Sequence, residues 1–134
     1  MSLVQWDWVA RHGGEIGAQL GQHVLLTGLA LGFGLLIAFP LALAAVRWPR
    51  FYGPSLGLTG ILFTVPSLAL FILLIPFTGL SIATSLIGLT IYTLLILFRN
   101  IVEGLRGVPA DVSEAAKALG YSRGRRLVQV ELPI

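Results

Sequence analysis

The chain has 134 residues, of which 56% are hydrophobic and only 11% are charged. An ordinary soluble domain is about 45–50% apolar and about 25% charged, so a soluble enzyme or binding module is nearly excluded. The sequence contains no cysteine, which removes disulfide frameworks, cysteine zinc sites and cysteine nucleophiles. The two histidines, His12 and His23, are too few for a histidine-only metal site. We therefore predict no catalytic residue and no metal site.

The charged residues divide the chain into apolar stretches. Residues 16–46 and 51–98 contain no Asp, Glu, Lys or Arg. A helix needs about 20 apolar residues to cross a bilayer core of about 30 Å. The first stretch can hold one span, and the second can hold two spans joined by a turn at 76–81, where Pro and Gly interrupt the apolar run. The sequence therefore predicts an all-α, multi-pass membrane bundle with spans near 22–46, 55–76 and 81–98.

The N-terminal segment 3–10 contains Trp6 and Trp8. Tryptophan prefers the membrane interface, which favours a short helix lying on the outer surface. A disordered terminus is an equally good interpretation. Acidic residues precede the first apolar run, and that run is too long for a cleaved signal peptide.

The basic residues predict an orientation. Eight of the nine Lys and Arg residues lie between the first two predicted spans or after the third, and only Arg11 lies elsewhere. Cytoplasmic flanks carry the excess of Lys and Arg, so we expect the N-terminus outside the cell. The positive net charge is thereby explained by topology, and no nucleic-acid partner is predicted.

Within the spans, small and polar residues suggest local features. Gly28 and Gly32 form a small-xxx-small motif, which predicts close helix approach. Pro40 and Pro66 can kink their helices. Because the spans carry no charged side chain, a solute could meet only hydroxyls, aromatic faces and backbone, although most such hydroxyls bond to their own helix. The weakly indicated residues of a solute pathway are Thr64, Ser67 and Tyr92, with Thr90 and Thr93 as further candidates.

The segment after the third predicted span carries signals of an ordered loop. Asp111 and Glu114 have the spacing of a capping box, and Gly120 stands where a helix needs a left-handed C′ residue. These signals predict a helix over 112–119, with Ala115 and Ala116 forming a small flat face and Leu119 adding apolar surface. Ser122 can cap a second helix over 123–131.

The same segment resembles the EAA loop of ABC-importer permeases, whose pattern is EAA-x3-G-x9-I-x-LP. It has Glu114-Ala115-Ala116, then Gly120, then Val130, and finally Leu132-Pro133 at the family's spacing. Val130 in place of Ile is the only departure. The resemblance implies that this helix docks on a separate cytoplasmic ATPase subunit and couples its closure to the membrane helices. The residues expected to take part are Asp111, Glu114, Ala115, Ala116, Leu119, Gly120, Leu132 and Pro133.

Two further stretches, 64–70 and 99–105, look like permeases of the osmoprotectant importers, which import glycine betaine, choline or carnitine. Members of that group continue with at least two more spans after the LP pair, so the chain is expected to be the N-terminal part of a permease and not to transport alone. A permease for another solute, such as an amino acid or an oxyanion, and a non-transporting membrane anchor or remnant remain alternatives.

By resemblance, the mechanism is alternating access in the bacterial or archaeal cytoplasmic membrane. The implied partners are a second permease subunit, the ATPase, an extracytoplasmic substrate-binding protein and membrane lipid. ATP is expected to bind the ATPase and not this chain, because the sequence contains no G-x-x-x-x-G-K-[ST] phosphate loop and no cofactor motif. The basic residues Arg123, Arg125 and Arg126 would face either anionic lipid headgroups or the acidic rim of the ATPase.

Overall fold

The computed structural model describes residues 5–133, and this part of the chain is helical with short connections. The helices are α1 (Trp6–Arg11), α2 (Gly13–Arg47), α3 (Tyr52–Thr64), α4 (Ser67–Thr78), α5 (Ile82–Gly107), α6 (Ala110–Ala118) and α7 (Arg123–Arg126). A 3₁₀ turn, Pro49–Phe51, precedes α3, and a π-helical segment, Leu127–Glu131, follows α7. The predicted all-α bundle is confirmed.

The longest helices, α2 and α5, form the core and run parallel. Their N-terminal ends lie together, because Gln22 of α2 and Ser81, just before α5, border the same cavity. Their C-terminal ends also lie together, because Arg47 of α2 and Leu105 of α5 border another. Between them lies a cluster of buried apolar residues. It comprises Ala38, Ala42 and Ala45 of α2 together with Leu94, Phe98 and Val102 of α5.

The face of α2 that packs on α5 is lined by small residues about four positions apart: Ala30, Gly34, Ala38, Ala42 and Ala45. A Cβ atom built on Gly34 would lie 2.0 Å from Oγ1 of Thr93, so the two backbones approach closely there. Close approach at small residues is how apolar helices associate without a hydrophobic driving force. Gly28 and Gly32, the small-xxx-small pair of the sequence, do not make this contact: no described atom lies within 4 Å of a Cβ built on either.

The segment between α2 and α5 is broken into two helices. α3 and α4 meet at an angle of 92°, so the span predicted near 55–76 is bent at Pro66, one of the two prolines expected to kink a helix. Val65 and Pro66 are both extended, with ψ of 125° and 137°. Proline has no N–H to continue the helix and disfavours the helical conformation of the residue before it, which accounts for the break. Pro40, by contrast, lies inside the continuous helix α2.

The bent pair follows α5 in the reverse direction. The ring of Tyr52 stacks on Phe98 at a centroid distance of 6.0 Å. Further along the chain, the side chain of Phe71 covers Gly88, and the hydroxyls of Thr78 and Thr84 lie 2.6 Å apart. α3 and α4 therefore carry the chain back from the end of α5 that holds Phe98 to its beginning.

Two described helices, α2 and α5, are long and apolar enough to cross a membrane, and the number becomes three if the bent pair is one span. α2 begins well before position 22, and α5 continues to Gly107, well past position 98. The turn predicted at 76–81 is shorter than expected, because α4 includes Pro76 and ends at Thr78. Gly79 follows at φ 69°, a conformation that favours glycine.

At the N-terminus, α1 covers Trp6–Arg11, so the described part of the predicted interfacial segment is helical. The side chains of Trp6 and Trp8 are 70% and 47% exposed. Trp8 stacks on the ring of His12 at 4.2 Å. Positions 3 and 4 of that segment lie outside the described residues.

Candidate functional site: the loop helix and the helix break

The loop predicted to be functional lies at the end of the bundle where α2 stops and α5 ends. This end carries Arg47, Arg50 and Arg106 and is termed the basic end below. After α5, Val108 and Pro109 are extended, with ψ of 123° and 138°. This interruption separates α5 from α6 and sets where α6 begins.

Helix α6 begins earlier than the sequence predicts. Pro109 is the N-cap residue, and it makes no side-chain capping bond. Asp111 therefore lies inside the first turn, where a carboxylate is favourable near the positive end of the helix dipole. The predicted capping box between Asp111 and Glu114 is wrong, because that motif requires Asp111 to be the residue just before the helix.

The C-terminal end of α6 matches its prediction. Gly120 has φ 78°, the left-handed conformation expected of a C′ residue. The N–H of Tyr121 donates to the carbonyl of Ala116 at 3.1 Å, and the N–H of Gly120 donates to Lys117 at 2.9 Å. These two bonds define a Schellman motif, which satisfies carbonyls at the end of the helix. The motif holds the end of α6 in a defined geometry.

The two alanines of the EAA pattern do not share a face. Ala116 is 4% exposed and lies on the inner side of α6, whereas Ala115 is exposed. The prediction of one flat face containing both alanines is therefore wrong. The outward side of α6, termed the outer face, consists of Asp111, Glu114, Ala115, Ala118 and the adjoining Leu119. Leu119 is 75% exposed, which makes it an apolar side chain without cover on this surface.

The segment after Gly120 begins as predicted and then changes helix type. The Ser122 hydroxyl accepts the N–H of Arg125 at 3.4 Å, so this residue is the expected N-cap. From Leu127 the helix widens, and the N–H of Leu132 donates to the carbonyl of Leu127 at 2.9 Å. A π-helix pairs residues five apart, and Nε of Arg126 correspondingly lies 2.6 Å from Oε1 of Glu131.

Leu132 and Pro133, the end of the family pattern, do not belong to the outer face. Leu132 borders a cavity with Leu35 and Phe39 of α2 and with Ile101 of α5. Pro133 is exposed. The eight predicted coupling residues therefore divide between the outer face, the inner side of α6, the glycine after its C-terminal end and the Leu132-Pro133 segment.

The three weakly predicted pathway residues all adjoin the break between α3 and α4. Thr64 is the last residue of α3 and Ser67 the first of α4, and both are exposed. Tyr92 of α5 donates its hydroxyl to the carbonyl of Val65 in the break. The hydroxyl of Thr64 donates to the carbonyl of Ile61 at 2.8 Å, as most hydroxyls in membrane helices do.

Phe63 belongs to the same group, although the sequence reasoning missed it. Its ring meets that of Tyr92 edge-on at 5.9 Å and is 40% exposed. A phenylalanine in an apolar run carries no signal of its own. Its place next to the Val65-Pro66 break was the observation that could have singled it out. The arrangement offers aromatic surface and interrupted backbone to a solute, and no charged side chain lies there.

Among residues 5–133, no group of three or more His, Cys, Asp or Glu side chains could hold a metal ion. His12 and His23 border one cavity together with Glu15.

The fold and the loop together define a helical membrane component with a capped helix outside the bundle. The family of binding-protein-dependent transport system inner membrane components matches residues 24–134, and the chain belongs to this family. The resemblance to ABC-importer permeases seen in the sequence is confirmed.

The relatives include permease proteins named for choline, carnitine and osmoprotectant transport. The chain is 31% identical over 128 residues to the choline transport system permease protein OpuBB of Bacillus subtilis, covering 96% of this chain and 59% of that one. It is 33% identical over 122 residues to the carnitine transport permease protein OpuCB of Listeria monocytogenes, covering 91% and 56%. It is 32% identical over 128 residues to the osmoprotectant import permease protein OsmW of Salmonella typhimurium, covering 92% and 60%. The chain thus spans less than two thirds of the length of these relatives. No solved structure matches.

Proposed function

We propose that the chain is a membrane-spanning permease subunit of an ATP-driven importer for quaternary-ammonium osmoprotectants such as glycine betaine, choline or carnitine. The observation that carries the proposal is the EAA pattern, which falls on a capped helix with an uncovered outer face. The names of the relatives support the solute class. The alternatives are a permease for another solute and a non-transporting membrane remnant.

The proposed orientation has the N-terminus outside and the basic end in the cytoplasm. Because α2 and α5 run parallel, the bent pair would return the chain across the membrane as one broken span. The excess of Lys and Arg at and beyond the basic end supports this orientation.

The outer face of α6 would dock on a separate ATPase subunit, which binds and hydrolyses ATP. Glu114 and Leu119 are the strongest contacts in this proposal, since both are exposed on the outer face. Gly120 would act through the Schellman motif, and Ala116 would fix α6 against the rest of the chain. A substrate-binding protein and a second permease subunit complete the proposed importer.

The break between α3 and α4 is the proposed part of the solute pathway. Discontinuous membrane helices commonly line transport sites, because interrupted backbone is tolerated where it faces a cavity. The rings of Phe63 and Tyr92 could contact a quaternary ammonium by cation–π attraction. Thr64 and Ser67 would flank this position.

The test of the coupling surface is co-purification of the chain with its cognate ATPase. Glu114→Arg and Leu119→Asp alter the outer face without touching the Schellman glycine, and each should lower ATPase recovery at least tenfold. Glu103→Arg makes the same charge change at an exposed position of α5 and should leave recovery unchanged. Equal recovery with all three variants would reject the docking surface and favour the remnant alternative.

The solute class needs a separate measurement, because the binding protein would hold most of the selectivity. Isothermal titration of the partner binding protein with choline, glycine betaine and carnitine should give binding. Binding of an amino acid or an oxyanion instead would favour the other permease alternative.

A further inference from the structure

A cavity of about 470 Å³ lies at the basic end of the bundle, between α2, α5, α6 and the segment from α7 to Glu131. Its charged lining residues are Arg47, Arg123, Arg126 and Glu131. Its walls toward the bundle are apolar and include Leu105 and Val108. The cavity, termed the arginine cavity, thus has a cationic rim and an apolar wall. The outer face of α6 is not part of it.

The charges in the arginine cavity do not balance. Glu131 is the one carboxylate among the described residues that line it, and it pairs with Arg126 at 2.6 Å. Their side chains are 18% and 20% exposed. The guanidinium groups of Arg47 and Arg123 have no carboxylate partner among residues 5–133. A site with two uncompensated arginines favours an anion, and planar guanidinium groups suit phosphate oxygens in particular.

Aromatic residues at the basic end of the bundle, near the cavity, bear on its depth in the membrane. The guanidinium carbon of Arg47 lies 5.7 Å from the ring centre of Trp48. Arg50 lies in the same way over Phe51 at 5.1 Å, and Arg106 over Tyr52 at 4.4 Å. Trp and Tyr are enriched at the interface between hydrocarbon and headgroups, and Lys and Arg in the cytoplasmic flanks of spans. Trp48, Tyr52 and these arginines therefore support a position of the arginine cavity at the level of the lipid phosphates.

We propose that the arginine cavity binds the phosphate group of an anionic phospholipid, with Arg47 and Arg123 contacting the phosphate and the apolar wall contacting the acyl chains. A phosphate in solution shares the headgroup chemistry, but it cannot use the wall formed by residues such as Leu105 and Val108. Basic pockets between membrane helices are a recognised form of lipid site, and anionic lipid is the source that suits an amphipathic cavity at this depth. The proposal rests on the chain being a membrane protein and not on ATPase docking or on the solute.

The experiment is native mass spectrometry of the purified protein, released from micelles that contain equal amounts of phosphatidylglycerol and phosphatidylcholine. The wild type should retain phosphatidylglycerol over phosphatidylcholine. The double variant Arg47→Gln with Arg123→Gln should lower that preference at least tenfold. The matched control is Arg50→Gln with Arg125→Gln, which removes the same charge outside the cavity: Arg125 lies over Tyr121 and bonds to Gln129. The control should retain the wild-type preference.

A variant that is expected to raise the lipid preference shows that a loss in the arginine variants is not simply misfolding. Glu131→Gln removes the carboxylate of the cavity and frees Arg126, so the preference for phosphatidylglycerol should rise. A second arm measures thermal unfolding in phosphatidylcholine micelles with added inorganic phosphate or with added phosphatidylglycerol. Only phosphatidylglycerol should raise the unfolding temperature.

Three results would overturn the proposal. The first is equal loss of preference in the cavity variant and its control, which would mean that surface charge alone attracts the lipid. The second is a fall in preference in Glu131→Gln. The third is stabilisation by inorganic phosphate together with no preference for phosphatidylglycerol. None of these results bears on ATPase recovery, which is measured with different variants.

Discussion

The contact between Gly34 and Thr93 allows a direct test of how α2 and α5 pack. A methyl group at Gly34 would place a Cβ atom 2.0 Å from Oγ1 and 3.2 Å from Cβ of Thr93. The Thr93 hydroxyl is held by its bond to the carbonyl of Thr90, and rotation about χ1 would still leave Cβ of Thr93 3.2 Å from the new atom. Overpacking of this kind costs about 1–3 kcal/mol. We therefore expect Gly34→Ala to carry a steric cost of about that amount, which the gain in helix propensity only partly offsets.

Gly32→Ala is the matched control. It lies in the same helix, two residues away, and nothing lies within 4 Å of a built Cβ. Both substitutions share the gain in helix propensity, about 1 kcal/mol for alanine over glycine. The difference between the two variants therefore isolates the steric contact. Thermal unfolding in detergent micelles should give a midpoint for Gly34→Ala several degrees below that of Gly32→Ala.

Thr93→Ala should rescue the destabilised variant. The hydroxyl of Thr93 donates to its own helix, to the carbonyl of Thr90 at 2.8 Å, so its removal breaks no bond between helices. The double variant Gly34→Ala with Thr93→Ala should recover most of the lost stability, and a double-mutant cycle would measure the coupling. Identical midpoints for Gly34→Ala and Gly32→Ala, or no rescue, would refute the proposed packing of α2 on α5.

Two further substitutions test the break and the end of α6. Tyr92→Phe leaves the carbonyl of Val65 without its hydroxyl partner and should cost about 1–3 kcal/mol in thermal unfolding, whereas Tyr52→Phe keeps its stacked ring and should cost less. Gly120→Ala forces an L residue into φ 78° with no atom within 4 Å, so its expected cost of about 1–2 kcal/mol is conformational. Amide exchange in the loop should quicken in Gly120→Ala and not in Gly124→Ala. Unchanged exchange would contradict the Schellman geometry.

Composition was enough to predict the helical membrane bundle, because uninterrupted apolar stretches of this length have few alternatives. The bend between α3 and α4, within the second apolar stretch, was harder to predict. Hydropathy measures only how apolar a segment is, and both arms of the bent pair are apolar. Pro66 indicated that a kink was possible, but Pro40 carried the same signal and lies in a continuous helix. Val65, the residue before Pro66, is extended and its carbonyl accepts the Tyr92 hydroxyl, whereas the residue before Pro40 stays within α2.

The spacing of residues in the sequence also could not predict which face of α2 packs on α5. Between positions 24 and 46, α2 carries no polar side chain except Thr27, so no polar stripe indicates which residues face α5. Gly28 and Gly32 have the familiar spacing, yet the packed residue is Gly34, on a different side of the helix. Small residues recur often enough in this helix that several motifs overlap, and only the partner helix selects one of them.

In the loop after α5, the sequence predicted some individual residues correctly and others wrongly. The Gly120 prediction succeeded because a left-handed C′ position is a local requirement of the backbone. The capping prediction failed because Pro109 moved the start of α6 ahead of Asp111. The inward position of Ala116 and the outward position of Ala115 follow from how α6 lies against the segment after Gly120, which spacing cannot show. For this reason Glu114 and Leu119, and not the pair of alanines, are the residues at which substitution should separate ATPase docking from folding.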